Sequence, residues 1–459
     1  MREYNSKFIT QSIFLSPLHS ILMPRLFAFL FLLASFSKGM SQKLVFHSVE
    51  QVLARAESDN PAIQMARLQQ KVAMRDKALG WAAYYPSLGL NLNSDYNLNL
   101  PVQLIPAEIF GGPAGTFKQV RFGQNWNQSA AFDFSLPIFH PEKYAAGRSA
   151  SYAAEQVKFE QQAGVNLTLQ KVAAQYFQVL QLEENLALNS MLDSTAEQLY
   201  KATLARFNQQ LVSRLDLNRA ENLMNANKQQ SLNTTASLQI ARAKLAALLN
   251  ISELSNMKID DHLVSYQLST PENQLKAAER PASRAATEAE IAQRWRAKQH
   301  LYTGLPRLSL NSRYTFSSQS NKLSDPSATH FDYGTVGLQL NVPLFKGRTN
   351  TLLFKKNQLL SEQALYKKQQ TLTESAAELT EWTTRLDEKV QARTLAAHKE
   401  TLALQNIQLG LDLYNQGVIS LDQLFNIYNE YAQAKSSFIQ TCTDAAIFQT
   451  YFMIEAKRP

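Results

Sequence analysis

The feature that most constrains this chain is an internal duplication. Residues 60–96 align without gaps with residues 280–316, placing Pro61 on Pro281, Pro86 on Pro306, Leu88 on Leu308, Leu90 on Leu310 and Asn91 on Asn311. Further along, Leu136-Pro137-Ile138-Phe139 matches Val342-Pro343-Leu344-Phe345, and Phe207-Asn208-Gln209-Gln210-Leu211-Val212-Ser213 matches Tyr414-Asn415-Gln416-Gly417-Val418-Ile419-Ser420. Three matches in one order define a repeated unit with different loop lengths in each copy. The first unit is expected over residues 42–250, a connector over 251–279 and the second unit over 280–457.

Each unit reads as helix, strand, loop, strand, long helix, turn, helix. Pro61 and Pro281 suit the first turn of a helix, where a missing N–H costs nothing. The hydrophobic period then switches from 3.6 to 2. Over 88–100, Leu88, Leu90, Leu92, Tyr96, Leu98 and Leu100 fall on one face, and Asn91, Asn93, Asp95, Asn97 and Asn99 on the other. The segments 129–138, 307–316 and 334–345 alternate in the same way, and Asn341 shares the polar parity of the last. Such two-faced strands of roughly ten residues span a bilayer at a tilt. An open four-stranded sheet in a membrane would leave edge N–H and C=O groups unpaired, so it must close, and closure takes roughly eight strands or more. Two or three chains are therefore expected to share one barrel. Asn91, Asn93, Asn99 and Asn341 are its candidate lumen residues, and the loops 101–128 and 317–332 its candidate outer loops.

The start of the chain agrees with export. Arg25, the apolar run Leu26 to Ala34, and Gly39-Met40-Ser41 before Gln42 read as a signal peptide over residues 1–41, with Met23 as an alternative start. After it, nothing approaches the roughly 18 uninterrupted apolar residues of a membrane-spanning helix. The single cysteine, Cys442, excludes an internal disulfide. Of the formal charge of +8, Arg2, Lys7, Arg25 and Lys38 against Glu3 belong to the leader. The +5 that remains is too mild and too dispersed to argue for nucleic acid as a partner.

Between Pro141 and the first tip motif about 65 residues run without proline, roughly 95 to 100 Å of helix, and residues 349–413 repeat this. The two shorter helices of each unit together approach that length. They are expected to stack end to end beside the long one, in a coiled-coil layer that forms a tube. Charges such as Lys346, Arg348, Lys355 and Lys356 read as a solvated face. At the tips, Ser420-Leu421-Asp422-Gln423 is a capping box and Ser213-Arg214-Leu215-Asp216 a weaker one. Gly417 supplies a left-handed residue where the first copy has Gln210, so the second turn is expected to be the sharper.

The NPA and RPA helix starts, the YYPSLGLNLN and GLPRLSLN strand entries, the SLPIF and NVPLF exits, and the FNQQLVSRLDL and YNQGVISLDQL tips together resemble the TolC family of outer-membrane efflux proteins over residues 45–457. The resemblance implies a mainly α fold with a small membrane β-barrel portion. Four strands per chain would enter a twelve-stranded barrel shared by a homotrimer, above a periplasmic helical barrel whose tips open like an iris. It further implies a Gram-negative outer membrane, a periplasmic adaptor, an inner-membrane pump of RND or ABC type, and no cofactor. By motif position the acidic entrance ring of such proteins falls on Gln423 and Asn426, both amides here, with Asp422 adjacent. An aspartate that helps hold the entrance shut falls on Asp216.

Catalysis finds no support in the residue pattern. The seven histidines lack metal-like spacing, Asp260-Asp261-His262 reads as a solvated connector, and no nucleophile motif or phosphate loop occurs. Trp81, Tyr84, Tyr85, His140, Tyr302, Phe139 and Phe345 flank the strands as an aromatic belt or as packing. A periplasmic coiled-coil scaffold or adaptor without a pore stays open as the alternative. It fits two hairpins and four amphipathic strands less well.

Overall fold

The computed structural model describes residues 44–253, 257–263, 266, 275–323, 326–345 and 347–457. The expected signal peptide and Lys346 lie outside the described residues. In chain order the elements are β1 (Leu44–Phe46), α1 (Val49–Asp59), α2 (Pro61–Ala82), β2 (Ser87–Tyr96), β3 (Val102–Pro106), β4 (Phe117–Arg121), β5 (Trp126–Phe139), α3 (Pro141–Asn208), α4 (Arg214–Leu248), β6 (Met257–Ile259), α5 (Pro281–Tyr302), β7 (Arg307–Ser320), β8 (Thr329–Asn341), α6 (Thr349–Asn415) and α7 (Leu421–Ala456).

Helix α3 has 68 residues and α6 has 67, so each is about 100 Å long. On one side α3 packs against α2 and α4, on the other against α5 and α7; α6 packs against α5 and α7. The shorter helices thus form stacked columns beside the continuous ones. The joints of these columns are built from equivalent residues of the two copies. Asn60 caps α2, its Oδ1 accepting from the Ala62 and Ile63 N–H groups at 2.8 and 3.3 Å, while its Nδ2 donates to the last carbonyl of α4, Leu248 O, at 2.7 Å. Arg280 takes the place of Asn60 ahead of α5, and Glu455 takes the place of Leu248 at the end of α7. Their buried side chains meet at 3.6 Å, with Arg280 also 2.7 Å from Glu378 and 5.0 Å from the Trp382 ring centre. One joint is closed by an amide and the other by a buried ion pair.

The main core lies around the middle of α3, where Tyr176, Phe177, Leu180 and Val172 meet Val49 and Val52 of α1, Ile63 of α2 and Leu245 of α4. The parallel pair β1–β6 sits beside it. The Tyr176 hydroxyl donates to Asp261 at 2.5 Å, and burial pushes its pKa up. Asp261 is thus a structural acceptor at this core. Gly80 and Gly147 let α2 and α3 approach: a Cβ on Gly147 would lie 2.7 Å from the Trp81 ring. The Trp81 indole donates to Ser151 at 3.0 Å.

Strands β2, β5, β7 and β8 form one antiparallel sheet in that order. Strand order therefore repeats the order of the helical columns beneath, α2/α4, α3, α5/α7, α6. The boundaries differ from the sequence reading at several strand ends, and β5 begins at Trp126 rather than at residue 129. Strand β2 ends at Tyr96, so Asn99 falls in the bend beyond it rather than on the sheet. Strand β7 continues to Ser320, and β8 begins at Thr329 and stops at Asn341, short of Pro343. The outer loop of the first copy holds a separate hairpin, β3–β4.

Candidate channel wall and entrance

Register sorts the sheet into two faces. Leu88, Phe134, Ser312 and Val336 form one row across the strands, followed by Leu90, Phe132, Tyr314 and Gly334, then Leu92, Ala130, Phe316 and Asp332. With Leu136, Leu310, Leu338, Leu308 and Leu340 these make an apolar band. From Leu308 to Phe316 it spans eight residues, about 27 Å along the strand or roughly 21 Å of membrane depth at a 40° tilt. The small Gly334 accepts the Tyr314 ring, whose hydroxyl donates to Asp332 and satisfies the carboxylate on this face.

The opposite face is polar and hydrogen-bonded across strands. Arg313 Nε lies 2.5 Å from Asp133 Oδ1, and Asn91 donates to Asp133 Oδ2 at 2.6 Å. Ser135 donates to Asn311 and Asn311 to Gln339, each at 2.8 Å. Asn91, Asn93 and Asn341 share this face, as the sequence implied. The Arg313–Asp133 pair escaped the sequence reading, because pairing across strands 180 residues apart depends on register rather than on motif.

At the foot of the sheet Tyr84 and His140 hold a junction rather than a belt. Tyr84 donates to the His140 carbonyl at 2.8 Å, His140 Nε2 lies 2.9 Å from the Ser309 hydroxyl, and Glu142 lies 3.2 Å from His140 Nδ1 and 3.3 Å from Arg307 Nε. Burial raises the Tyr84 pKa. Tyr85, Phe139 and Phe345 remain exposed, as a belt requires.

At the far end of the long helices, both tips are closed by capping boxes. The Ser213 hydroxyl accepts from Asp216 N–H at 3.1 Å, while Asp216 Oδ2 accepts from the Ser213 N–H at 3.1 Å and its hydroxyl at 2.7 Å. Ser420 accepts from Gln423 N–H at 3.3 Å, and Gln423 Oε1 accepts from Ser420 N–H at 2.9 Å. Both tips make the same turn, contrary to the expected difference. Leu211 N–H reaches Arg206 O and Val418 N–H reaches Leu413 O, each at 2.9 Å, and Gln210 (φ +59°) takes the left-handed role of Gly417 (φ +76°).

Two arginines join one tip to the other, beside a buried Thr203–Tyr414 hydroxyl pair at 3.5 Å. Arg219 of α4 lies 2.5 Å from Asp422 of α7. Arg206 of α3 donates to the terminal carbonyls of α6, Tyr414 O at 3.2 Å and Asn415 O at 3.1 Å, with its guanidinium 4.5 Å from the Tyr414 ring centre. Asp216 and Gln423 are committed to their own caps, and Asn426 is exposed. Above the tips a groove of about 750 Å³ runs along α3 between α4 and α7, bounded by Asn189, Asn227, Asn233, Tyr428, Gln433 and Gln440, with no charged lining. Among the described residues no cluster of His, Cys, Asp and Glu is arranged to hold a metal, and no helix is long and apolar enough to cross a membrane.

The chain thus joins a sheet with one apolar and one polar face to columns of about 100 Å that end in capped turns. Residues 52–250, nearly all of the first repeat, match the family model described as outer membrane efflux protein. Over that repeat the chain is similar to the outer-membrane efflux proteins of the TolC type. Its fold is similar to that of CusC, with a TM-score of 0.74 and 15% identity over 90% of this chain and 93% of that one. VceC of Vibrio cholerae gives 0.73 and 15% over 88% and 95%, and the open state of Neisseria gonorrhoeae MtrE gives 0.71 and 15% over 89% and 88%. No curated protein matches the sequence.

Proposed function

We propose that three copies close into a twelve-stranded barrel over a twelve-column helical tube, a passive duct from the periplasm to the exterior. The observation that carries this reading is the shared order of strands and columns. Strands β2 and β8 are the open edges of the sheet, and α2/α4 and α6 are the open sides of the helical layer. Pairing β8 of one protomer with β2 of the next therefore brings α6 against the neighbouring α2/α4. Twelve strands 4.8 Å apart at a 40° tilt enclose a backbone cylinder roughly 24 Å across, wide enough for a solute path.

The tips form the periplasmic entrance in this reading, with Gly417, Ser420, Asp422, Gln423 and Asn426 of the second hairpin and Ser213 and Asp216 of the first around it. Arg219–Asp422 and Arg206 hold the two hairpins of one protomer together, so opening must break or bypass them. With amides at the ring positions, Asp422 is the carboxylate nearest the entrance, and Arg219 already neutralises it. Energy is supplied elsewhere, by an inner-membrane pump of RND or ABC type coupled through a periplasmic adaptor. The uncharged groove over α3 offers an adaptor hairpin hydrogen-bonding partners without a charge to desolvate.

The test is the mass and heat-modifiability of the protein extracted from outer membranes, beside single-channel conductance in a planar bilayer. A heat-modifiable trimer with a small conductance is expected. A soluble monomer or dimer without conductance refutes the duct and leaves a periplasmic scaffold. Cysteines at Asn233 and Gln433 should cross-link to the adaptor in cells; their silence beside an intact trimer refutes that docking site.

A further inference from the structure

The membrane face of the sheet changes character within one residue step. Immediately above the row Leu92, Ala130, Phe316 and Asp332 lies a row of four polar side chains that crosses every strand, Ser94, Gln128, Ser318 and His330. They have the parity of Leu88, Phe132 and Leu338 and so point away from the lumen. One row further, the Tyr96 and Trp126 rings pack with centres 5.0 Å apart, tilted by 53°. The helices attach at the other end of the strands, so this row lies at the outer surface of the membrane. The small Ala130, between Leu92 and Phe316, leaves a groove of about 510 Å³ that runs from the apolar band into the polar row.

We propose that this groove binds a lipid of the outer leaflet, a phosphorylated, acylated glycolipid, with an acyl chain along Leu92, Ala130 and Phe316. The inference rests on the membrane-barrel reading above. Its occupant follows from the chemistry at each level. The floor is apolar and about the width of one chain. The polar row offers hydroxyl, amide and imidazole groups, which suit the hydroxyl and amide substituents of a sugar. Asp332, the carboxylate in the groove, already accepts from Tyr314. Beyond the aromatic pair, the hairpin β3–β4 carries Lys118 and Arg121, while its acid, Glu108, is held by the Gly115 N–H at 3.1 Å. The hairpin beyond the groove thus carries two cations against one carboxylate, a net positive charge complementary to head-group phosphate. A zwitterionic phospholipid would satisfy the floor but leave the cations and the polar row less well matched.

The experiment uses the full-length protein, delipidated in mild detergent and titrated with diphosphoryl lipid A or phosphatidylethanolamine, with adducts counted by native mass spectrometry. The wild type should take up one lipid A per protomer, at least tenfold tighter than phosphatidylethanolamine. Ala130→Phe, which fills the groove without adding a polar group, should weaken lipid A binding at least tenfold while the trimer stays heat-modifiable. Lys118→Ser with Arg121→Ser should abolish the preference for lipid A and spare the binding of phosphatidylethanolamine. Trimers that bind both lipids equally, or an Ala130→Phe trimer that binds lipid A as the wild type does, would overturn the proposal. A wild type that gives neither trimer nor conductance would instead refute the barrel itself.

Discussion

The buried joint between α7 and α5 allows a quantitative test of the repeat architecture. Arg280 and Glu455 are 8% and 5% exposed, and the guanidinium also serves Glu378, the Ser375 carbonyl and the face of Trp382. Replacing Arg280 by Met keeps most of the volume and removes the charge. Glu455 is then buried without its cation, at a cost of roughly 3–5 kcal/mol near pH 7. Burial already raises the Glu455 pKa, and Arg280 is the main influence pulling it down, so the variant must raise it further. A carboxyl raised in the fold contributes most below its unfolded pKa, and that contribution is lost as pH rises through the folded value. The deficit of Arg280→Met should therefore shrink as pH falls from 7 towards 5, by at most about 1.4 kcal/mol per unit.

The assay is chemical denaturation of the detergent-solubilised protein, followed by helical circular dichroism at pH 7 and pH 5. The double variant Arg280→Met, Glu455→Leu buries no charge and should return to within about 1 kcal/mol of the wild type, since apolar replacement of a buried pair is often neutral. Arg280→Met, Glu455→Gln cannot titrate at this site and should show no recovery at pH 5. In the other copy, Asn60→Ala removes a cap and one bond to Leu248 and should cost about 1–2 kcal/mol without pH dependence. An Arg280→Met deficit below about 1 kcal/mol, or one equal at both pH values, would refute the reasoning.

The tips, the wall and the link between hairpins give three further expectations. Gln210→Gly should stabilise the protein by about 1 kcal/mol, because a left-handed residue costs a side-chain-bearing amino acid about that much, and Gly417→Gln should destabilise it similarly; no change in the denaturation midpoint of either would count against the shared turn. Arg313→Gln leaves Asp133 without its counter-charge on the polar face, so the reversal potential in a KCl gradient should shift towards cation selectivity; an unshifted potential would place that face away from the conducting path. Arg219→Ala breaks an exposed pair worth under about 1 kcal/mol of stability, yet should raise the open fraction in single-channel records. Equal open fractions would remove the pair from the gate.

Most of the architecture was legible because its signals are periodic or punctuated. Pro61, Pro141 and Pro281 start helices where a proline is tolerated, and alternation in 88–96 and 307–316 marks strands with two different surroundings. Asn99 was misplaced because alternation carries on past the turn that ends β2. The turn at Gln210 was misjudged because glycine is a sufficient sign of a left-handed residue, not a necessary one. The hairpin's pairing from Lys118 back to Ile105 was hidden in a long loop with no strong strand pattern. At the entrance, the motif positions gave Asp216 and Gln423, but geometry spends both on caps and hands the cross-link to Arg219. Which of several neighbouring polar residues faces outward depends on helix rotation, and sequence spacing does not fix that at a turn.

The exposed apolar residues bear on the proposed trimer. They do not form a single patch. Leu90, Leu338 and Leu340 lie in the membrane band; Met65, Leu68, Leu232 and Ile240 lie on the α2/α4 column; Leu352, Leu359, Leu395 and Leu402 lie on α6. The last two sets sit on columns at opposite ends of the helical layer, each in contact with a neighbour on one side. Helix α3, packed on both sides, buries Leu169, Val172, Tyr176 and Phe177 completely or nearly so, whereas few large side chains of α6 are buried although the two helices are equivalent in the repeat. The same fold environment thus satisfies one long helix and leaves the other half covered. The proposed trimer would give α6 a further neighbour, the open α2/α4 side of another copy. In that trimer closure of the barrel and closure of the tube would be one event, since β8 lies above α6 and β2 above α2.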